Sequence, residues 1–92
     1  MKAELLEIVV STRTDPAGLL IPTLIFMNEG IEGPTAYYVD RVIRRDNEKI
    51  DGIDTIAYTC LVEVNSIKET WYIRYYPSED KWYLYRKLQP HF

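Results

Sequence analysis

Aromatic and basic side chains alternate along the last two strands that the sequence predicts. Because successive side chains of a strand point to opposite faces, every second residue of this hairpin shares one face. The residues predicted to lie together in this way are Tyr72, Arg74, Tyr76, Tyr83, Tyr85 and Lys87. Exposed β-sheets that mix aromatic rings with cations stack nucleic-acid bases and hold phosphates. This face is therefore the first candidate binding surface of the chain.

Two other interpretations of the same residues remain open. Tyr, Trp and Arg are enriched at protein interfaces, so the face also suits a protein partner or a second copy of the chain. In a small barrel, tyrosine rings can instead cover a thin core while their hydroxyl groups point to solvent. The net charge of −3 makes nucleic acid the less favoured partner, because sequence-independent binding to phosphates needs a basic excess.

The residue types that most catalytic sites require are scarce in this chain. The single histidine, His91, is the penultimate residue and offers no well-held base for a Ser-His-Asp or Cys-His arrangement. One cysteine and one histidine do not supply the usual ligands of a zinc site. The glycine spacing matches neither the dinucleotide fingerprint nor the P-loop. We therefore predict a non-enzymatic protein with no catalytic residue, no metal site and no cofactor.

Two charged segments suggest binding sites but have plainer interpretations. An acidic cluster invites a calcium interpretation, and its members are Asp46, Glu48, Asp51 and Asp54. The segment lacks the glycine and the glutamate that an EF-hand loop needs, so a solvated loop is favoured. In the pair Asp40-Arg41, neighbouring strand residues point to opposite faces, and each is expected to pair across strands.

Cys60 is the only cysteine, so the chain cannot form an internal disulfide. It alternates with Tyr58 and Val62 on one strand face, which favours a small buried core residue over a reactive thiol. Acidic residues interrupt the pattern of a signal peptide near the N-terminus. The longest apolar run, residues 18–27, is too short for a membrane helix. We therefore expect a cytoplasmic protein with no membrane partner.

The clearest strands lie in the C-terminal half. Period-two alternation runs through residues 54–64, 69–76 and 81–88. Asn65-Ser66 and Pro77-Ser78-Glu79-Asp80 supply the turns between them. The alternation predicts that one set of side chains shares the inner face, namely Ile56, Tyr58, Cys60, Val62, Val64, Trp71, Ile73, Tyr75, Trp82, Leu84, Arg86 and Leu88.

Three further strands are predicted before them, at residues 5–14, 19–28 and 35–45. Asp15-Pro16-Ala17-Gly18 has the residues that a turn favours, and the glycines and proline of residues 29–34 form the next turn. Pro22 has no amide proton to donate, which places the second strand at an edge, a bulge or a bend. The polar segment 46–52 is predicted to be a loop, with one helical turn over residues 46–50 as the alternative.

The length and composition suit one domain covering residues 1–92, because 47% of the residues are apolar and 27% are charged. Six strands joined by short loops, without an amphipathic helix, cannot bury a face as one open flat sheet. The sequence therefore predicts an all-β fold, a small antiparallel six-stranded barrel or strongly curled meander that is SH3-like.

Several short motifs of the chain occur in the same order in a known group of proteins. They are Ile21-Pro22, Ile25-Phe26, Tyr38-Val39-Asp40-Arg41-Val42, Tyr58-Thr59-Cys60, Glu69-Thr70-Trp71-Tyr72 and Lys81-Trp82-Tyr83. In these motifs, over residues 19–86, the chain resembles a family of short uncharacterised bacterial proteins common in Clostridia. It departs from the family pattern at residues 29–34 and 46–54. The resemblance implies an all-β fold and a bacterial origin, and it implies no activity.

Taken together, these residues predict a β-barrel interaction module that is not an enzyme. We expect the tyrosine-rich face of the C-terminal hairpin to bind a protein partner or a second copy of the chain. The alternative is a weak accessory protein that binds single-stranded nucleic acid through the same face.

Overall fold

The structure is a computed structural model that describes residues 6–28, 31 and 33–88, with the backbone alone described for residues 86–88. Six β-strands account for nearly all of these residues. The described residues contain no helix long and apolar enough to cross a membrane. The strands are β1 (Leu6–Thr14), β2 (Leu20–Asn28), β3 (Pro34–Ile50), β4 (Ile53–Val64), β5 (Ile67–Tyr76) and β6 (Lys81–Leu88).

The strands form a closed antiparallel barrel in which each strand pairs with the next one along the chain. β1 pairs with β6 to complete the ring, and Leu6, Glu7 and Ile8 lie opposite Leu84, Tyr83 and Trp82 respectively. In this closed order every strand has a paired neighbour on each side, whereas an open sheet would have two edge strands. The predicted all-β, six-stranded antiparallel fold is confirmed, and the barrel is consistent with the SH3-like description.

The barrel interior holds the apolar side chains of the predicted inner face. The buried apolar residues are Ile8, Ile25, Met27, Tyr58, Cys60, Val62, Trp71, Ile73, Trp82 and Leu84. Cys60 is fully buried, which confirms that it is a core residue. The alternation of β4 and the first part of β5 is therefore confirmed as the pattern that builds the core.

Short turns with specific backbone chemistry connect the strands. Asp15 accepts the amide of Gly18 at 2.9 Å with its carbonyl, and its Oδ1 accepts the amides of Ala17 and Leu19, each at 2.9 Å. The turn between β4 and β5 consists of Asn65 and Ser66, both at positive φ (50° and 67°). Two consecutive residues at positive φ form the type I′ turn, which matches the twist of a hairpin.

The prediction for residues 46–52 was wrong, because this segment is neither a loop nor a helical turn. β3 continues to Ile50, and each residue from Asp46 to Ile50 pairs with β4. Asp51 and Gly52 form a two-residue turn with φ values of 49° and 80°, the type I′ geometry that an Asp-Gly pair favours. The polar residues extend the hairpin into solvent, so they needed no apolar alternation to form a strand.

Register shifts occur at several points around the barrel, and two of them bear directly on the predictions made from the sequence. Between β1 and β2, Ser11 lies opposite Leu24 and Thr12 lies opposite Pro22, so Thr23 is the additional residue. The Thr23 hydroxyl donates to the Ser11 carbonyl at 3.0 Å. Pro22 lies next to this bulge, which is one of the three positions predicted for it, an edge, a bulge or a bend.

The second bulge lies in β6 and corrects the strict alternation predicted for that strand. Ile73 lies opposite Leu84, whereas Tyr72 lies opposite Arg86, which leaves Tyr85 as the additional residue. An extra residue shifts the period-two pattern by one position beyond it. The alternation predicted from Trp82 to Leu84 holds, and beyond Tyr85 the register of the backbone is offset by one.

Candidate functional site

Five of the six predicted site residues lie together on the outer surface of β5 and β6. We call this surface the tyrosine face, and it consists of Tyr72, Arg74, Tyr76, Tyr83 and Tyr85. The backbone of the sixth residue, Lys87, lies opposite the buried Trp71, and the side chain of Lys87 is outside the described part of the structure. The bulge at Tyr85 is the reason, because without the additional residue Lys87 would lie opposite Thr70 and not opposite Trp71.

Arg74 is not the exposed cation that the alternation predicted, because only 6% of its surface is accessible. Its Nη1 donates to Thr55 Oγ1 at 2.8 Å and contacts Glu48 Oε1 at 2.8 Å. The Thr55 hydroxyl in turn donates to the Glu48 carbonyl at 2.8 Å. The guanidinium also lies 4.9 Å from the centre of the Tyr85 ring, within cation–π distance. Residues of three other strands therefore hold Arg74 in one position.

The tyrosine rings of this face are partly or substantially accessible. Tyr85 is 43% exposed, and Tyr72, Tyr76 and Tyr83 are half-buried. The rings of Tyr76 and Tyr83 pack edge to face, with centroids 5.3 Å apart and planes at 82°. The Tyr83 hydroxyl donates to Glu79 at 3.3 Å, and partial desolvation together with the Glu79 charge raises the pKa of Tyr83. The domain therefore does not bury these rings completely.

A shallow groove of about 320 Å³ runs from the tyrosine face toward β3. Ala57 leaves space between the larger side chains of neighbouring strands, and Tyr72, Tyr85 and Arg44 are among the lining residues. Arg44 donates to Asp46 at 2.7 Å, so the described charges along the groove occur as pairs. The groove thus offers aromatic surface whose neighbouring charges are already neutralised.

We expect the ion pair between the buried Arg74 and Glu48 to stabilise the fold measurably. Glu48→Gln removes the charge opposite a guanidinium that water barely reaches, and we expect the free energy of unfolding to fall by about 2 kcal/mol. Asp54→Asn is the matched control on the same hairpin, because its pair with Lys49 (3.5 Å) is exposed and should contribute less than about 0.5 kcal/mol. Urea unfolding followed by tryptophan fluorescence measures both, and equal effects would contradict the arrangement.

The acidic residues near the β3–β4 turn mostly contact basic side chains. Asp46 pairs with Arg44, Glu48 with Arg74, and Asp54 with Lys49. Within the described residues, no group of three or more histidine, cysteine or acidic side chains is placed to hold a metal ion. Of the pair Asp40-Arg41, Asp40 contacts Lys68 across the sheet at 3.1 Å. His91 lies outside the described residues.

Sequence reasoning missed an apolar surface on the outside of β1, β2 and β3. We call it the apolar outer face, and it consists of Val9, Leu24, Phe26, Ala36 and Tyr38. Val9 and Tyr38 are 67% and 69% exposed. The sequence feature that could have revealed it is the uninterrupted apolar run from Leu24 to Met27. A strand with one solvated face alternates apolar and polar residues, so an unbroken run indicates apolar side chains on both faces.

Sequence reasoning also missed a cleft on the opposite side of β3 from the groove. We call it the arginine cleft, because Arg13, Arg41 and Arg45 line it together with residues of β2. These arginines come from two strands that are far apart in sequence, and no local motif marks them. The cleft has a volume of about 440 Å³, and its lining includes no residue of the tyrosine face.

No protein-family model, curated protein or solved structure matches this chain. The resemblance to the short clostridial proteins therefore stays a prediction.

Proposed function

We propose that this chain is a non-enzymatic interaction module that binds a protein partner, or a second copy of itself, through the tyrosine face. The observation that carries the proposal is the fixed position of Arg74 beneath Tyr85, whose ring stays 43% exposed. A side chain that is already ordered loses little conformational entropy when a partner binds it. Tyrosine and arginine are also the residue types that contribute most at protein interfaces.

The charges of this surface support a protein partner over nucleic acid. Among the described side chains, Arg74 pairs with Glu48, Arg44 with Asp46 and Lys81 with Glu7, so each cation beside the rings already has a carboxylate. Binding to nucleic-acid phosphates requires cations that can replace the condensed counterions of the nucleic acid, and cations already paired with a carboxylate do this poorly. A cytoplasmic, bacterial protein remains part of the proposal, because a chain with a single, buried cysteine has no disulfide that would require an oxidising compartment.

Self-association is the simplest form of the proposal and can be tested on the purified chain. We expect the average mass in sedimentation equilibrium to rise with concentration, and Tyr85→Ala to weaken association at least about tenfold. Tyr38→Ala is the matched control, because Tyr38 is an exposed tyrosine on the apolar outer face. Weakening by Tyr38→Ala and Val9→Lys, with no effect of Tyr85→Ala, would assign the interface to the apolar outer face and contradict the proposal.

A monomeric chain at every concentration would exclude self-association and leave a different protein as the partner. A photo-reactive phenylalanine analogue at position 85 is then expected to cross-link that protein in cells, and one at position 38 is not. The identified protein should bind the purified wild-type chain and bind the Tyr85→Ala variant at least about tenfold more weakly. Quenching of tryptophan fluorescence by an oligonucleotide at low salt, abolished by Tyr85→Ala, would instead support the nucleic-acid alternative.

A further inference from the structure

The barrel wall opens between β2 and β3, and the opening forms the arginine cleft. The two strands pair from Asn28 and Pro34 as far as Leu24 and Tyr38, and no pairing follows beyond that point. Residues 19–23 and 39–42 line the two sides of the resulting cleft. Its volume of about 440 Å³ lies within the range of small-molecule sites.

The arginines of the cleft differ from the other basic residues in having no carboxylate partner. Five basic side chains contact a carboxylate, namely Arg44, Lys49, Lys68, Arg74 and Lys81. Across the described side chains, the only basic residues without such a contact are Arg13, Arg41 and Arg45, and all three line the cleft. In a chain with a net charge of −3, this concentrates positive charge in one place.

The two carboxylates of the cleft are already engaged elsewhere. Asp15 Oδ1 accepts the backbone amides of Ala17 and Leu19, which fixes it in the turn before β2. Asp40 contacts Lys68 at 3.1 Å. Neither interaction involves a cleft arginine, so the guanidinium groups keep their donors available for a ligand.

Arg45 and Tyr58 form the inner end of the cleft. Arg45 is half-buried, its guanidinium lies 5.8 Å from the centre of the Tyr58 ring, and its Nε lies 3.4 Å from the Tyr58 hydroxyl. That hydroxyl donates to the Leu20 carbonyl at 2.8 Å. The described contacts of Arg45 are thus one hydroxyl and one ring. Arg45 therefore lacks the carboxylate partner that a half-buried arginine ordinarily has.

Apart from Thr23, the remaining lining is apolar on both sides, with Leu20, Ile21 and Pro22 on β2 and Val39 and Val42 on β3. An added strand is a poor fit, because Pro22 interrupts one edge and β3 has two register shifts between Val39 and Arg44. We propose that the arginine cleft binds a small organic anion, whose carboxylate or phosphate group contacts the arginines and whose apolar part contacts β2 and β3. Arginine matches the geometry of both oxyanions.

The test is a titration of the purified chain with hexanoate, hexyl phosphate and hexylammonium, followed by the NMR resonance of the Arg45 Nε–H group. We expect both anions to shift this resonance in a saturable way and hexylammonium to leave it unchanged. The tighter of the two anions identifies which oxyanion the cleft prefers. The proposal would be overturned if neither anion gave a saturable shift, or if hexylammonium bound as well as the anions do.

Arg45→Gln and Arg44→Gln form a matched pair, because they are adjacent residues and lose the same charge. We expect Arg45→Gln to weaken anion binding at least about tenfold and Arg44→Gln to change it little. Equal losses would indicate a diffuse charge effect and contradict a site. If Arg45→Gln does not fold, the exposed Arg13→Gln and Arg41→Gln variants decide the question by the same titration. Unchanged affinity in both of these variants would overturn the proposal. None of the substitutions alters the tyrosine face, so the result does not depend on the proposed function.

Discussion

Replacing Trp71 with alanine is expected to lower the free energy of unfolding by about 3–5 kcal/mol. The indole is only 1% exposed, and its ring lies 5.0 Å from the ring of Tyr37. Its Nε1 donates to Glu69 Oε1 at 2.8 Å, and Glu69 is itself 9% exposed. The substitution therefore leaves a cavity and also removes the donor from a buried carboxylate, and each effect is costly.

Urea unfolding of three variants separates these two effects. Trp71→Phe keeps most of the ring volume but not the donor, so it should cost less than Trp71→Ala and still leave Glu69 without its indole. The double variant Trp71→Phe/Glu69→Gln should recover part of that loss, because a neutral amide is cheaper to bury than a carboxylate. Tyr38→Ala, on the outside of the neighbouring part of the barrel, should change stability by less than about 0.5 kcal/mol. A similar loss for Tyr38→Ala would contradict the assignment of Trp71 to the core.

The fully buried Cys60 is expected to make the barrel less stable as the pH rises above 9. Burial raises the pKa of the Cys60 thiol from 9.0 to about 12. Below pH 9.0 the thiol is protonated in both states and has no effect on the pH dependence. Between 9.0 and about 12 the unfolded chain loses this proton while the folded barrel retains it, so the free energy of unfolding falls by up to about 1.4 kcal/mol per pH unit.

Cys60→Ala isolates this contribution from those of the tyrosines. The hydrogen bond to Asp80 raises the pKa of Tyr75, and desolvation raises that of Tyr83, so both also favour unfolding at alkaline pH. Those tyrosines are present in both proteins, and the difference between the two pH dependences reports Cys60 alone. Urea midpoints on both sides of pH 9.0 should diverge in slope above that value. Parallel slopes would show that the thiol ionises in the folded barrel.

All six strands could be predicted from sequence, and the clearest signal belongs to those whose side chains face both the core and solvent. In β4, β5 and the start of β6, burial of every second residue imposes a period of two, and the turns between these strands have distinctive residues. The last part of β3 carries no such pattern, because its polar residues extend beyond the core. The sequence feature that indicated this part of β3 was Asp51-Gly52, the pair that favours a two-residue hairpin turn.

The candidate sites were harder to predict, because they depend on departures from regular pairing. Tyr72, Tyr76, Tyr83 and Tyr85 follow from alternation, whereas the bulge at Tyr85 depends on how β6 fits against β5. Burial of Arg74 depends on Glu48, which comes from the hairpin extension that was predicted to be a loop. The arginine cleft depends on the separation of β2 from β3, which a single strand's sequence does not encode.

The junction between β1 and β6 has a consequence for the order of folding. Every other pair of neighbouring strands is a hairpin, whereas this junction joins residues as distant in sequence as Ile8 and Trp82. Contacts between distant residues form late, because the intervening chain first loses the entropy of a long loop. Trp82 lies at this junction with its ring 5.3 Å from Tyr58 and 4.7 Å from Tyr75. We therefore expect water to leave this part of the interior only when the two ends of the meander meet.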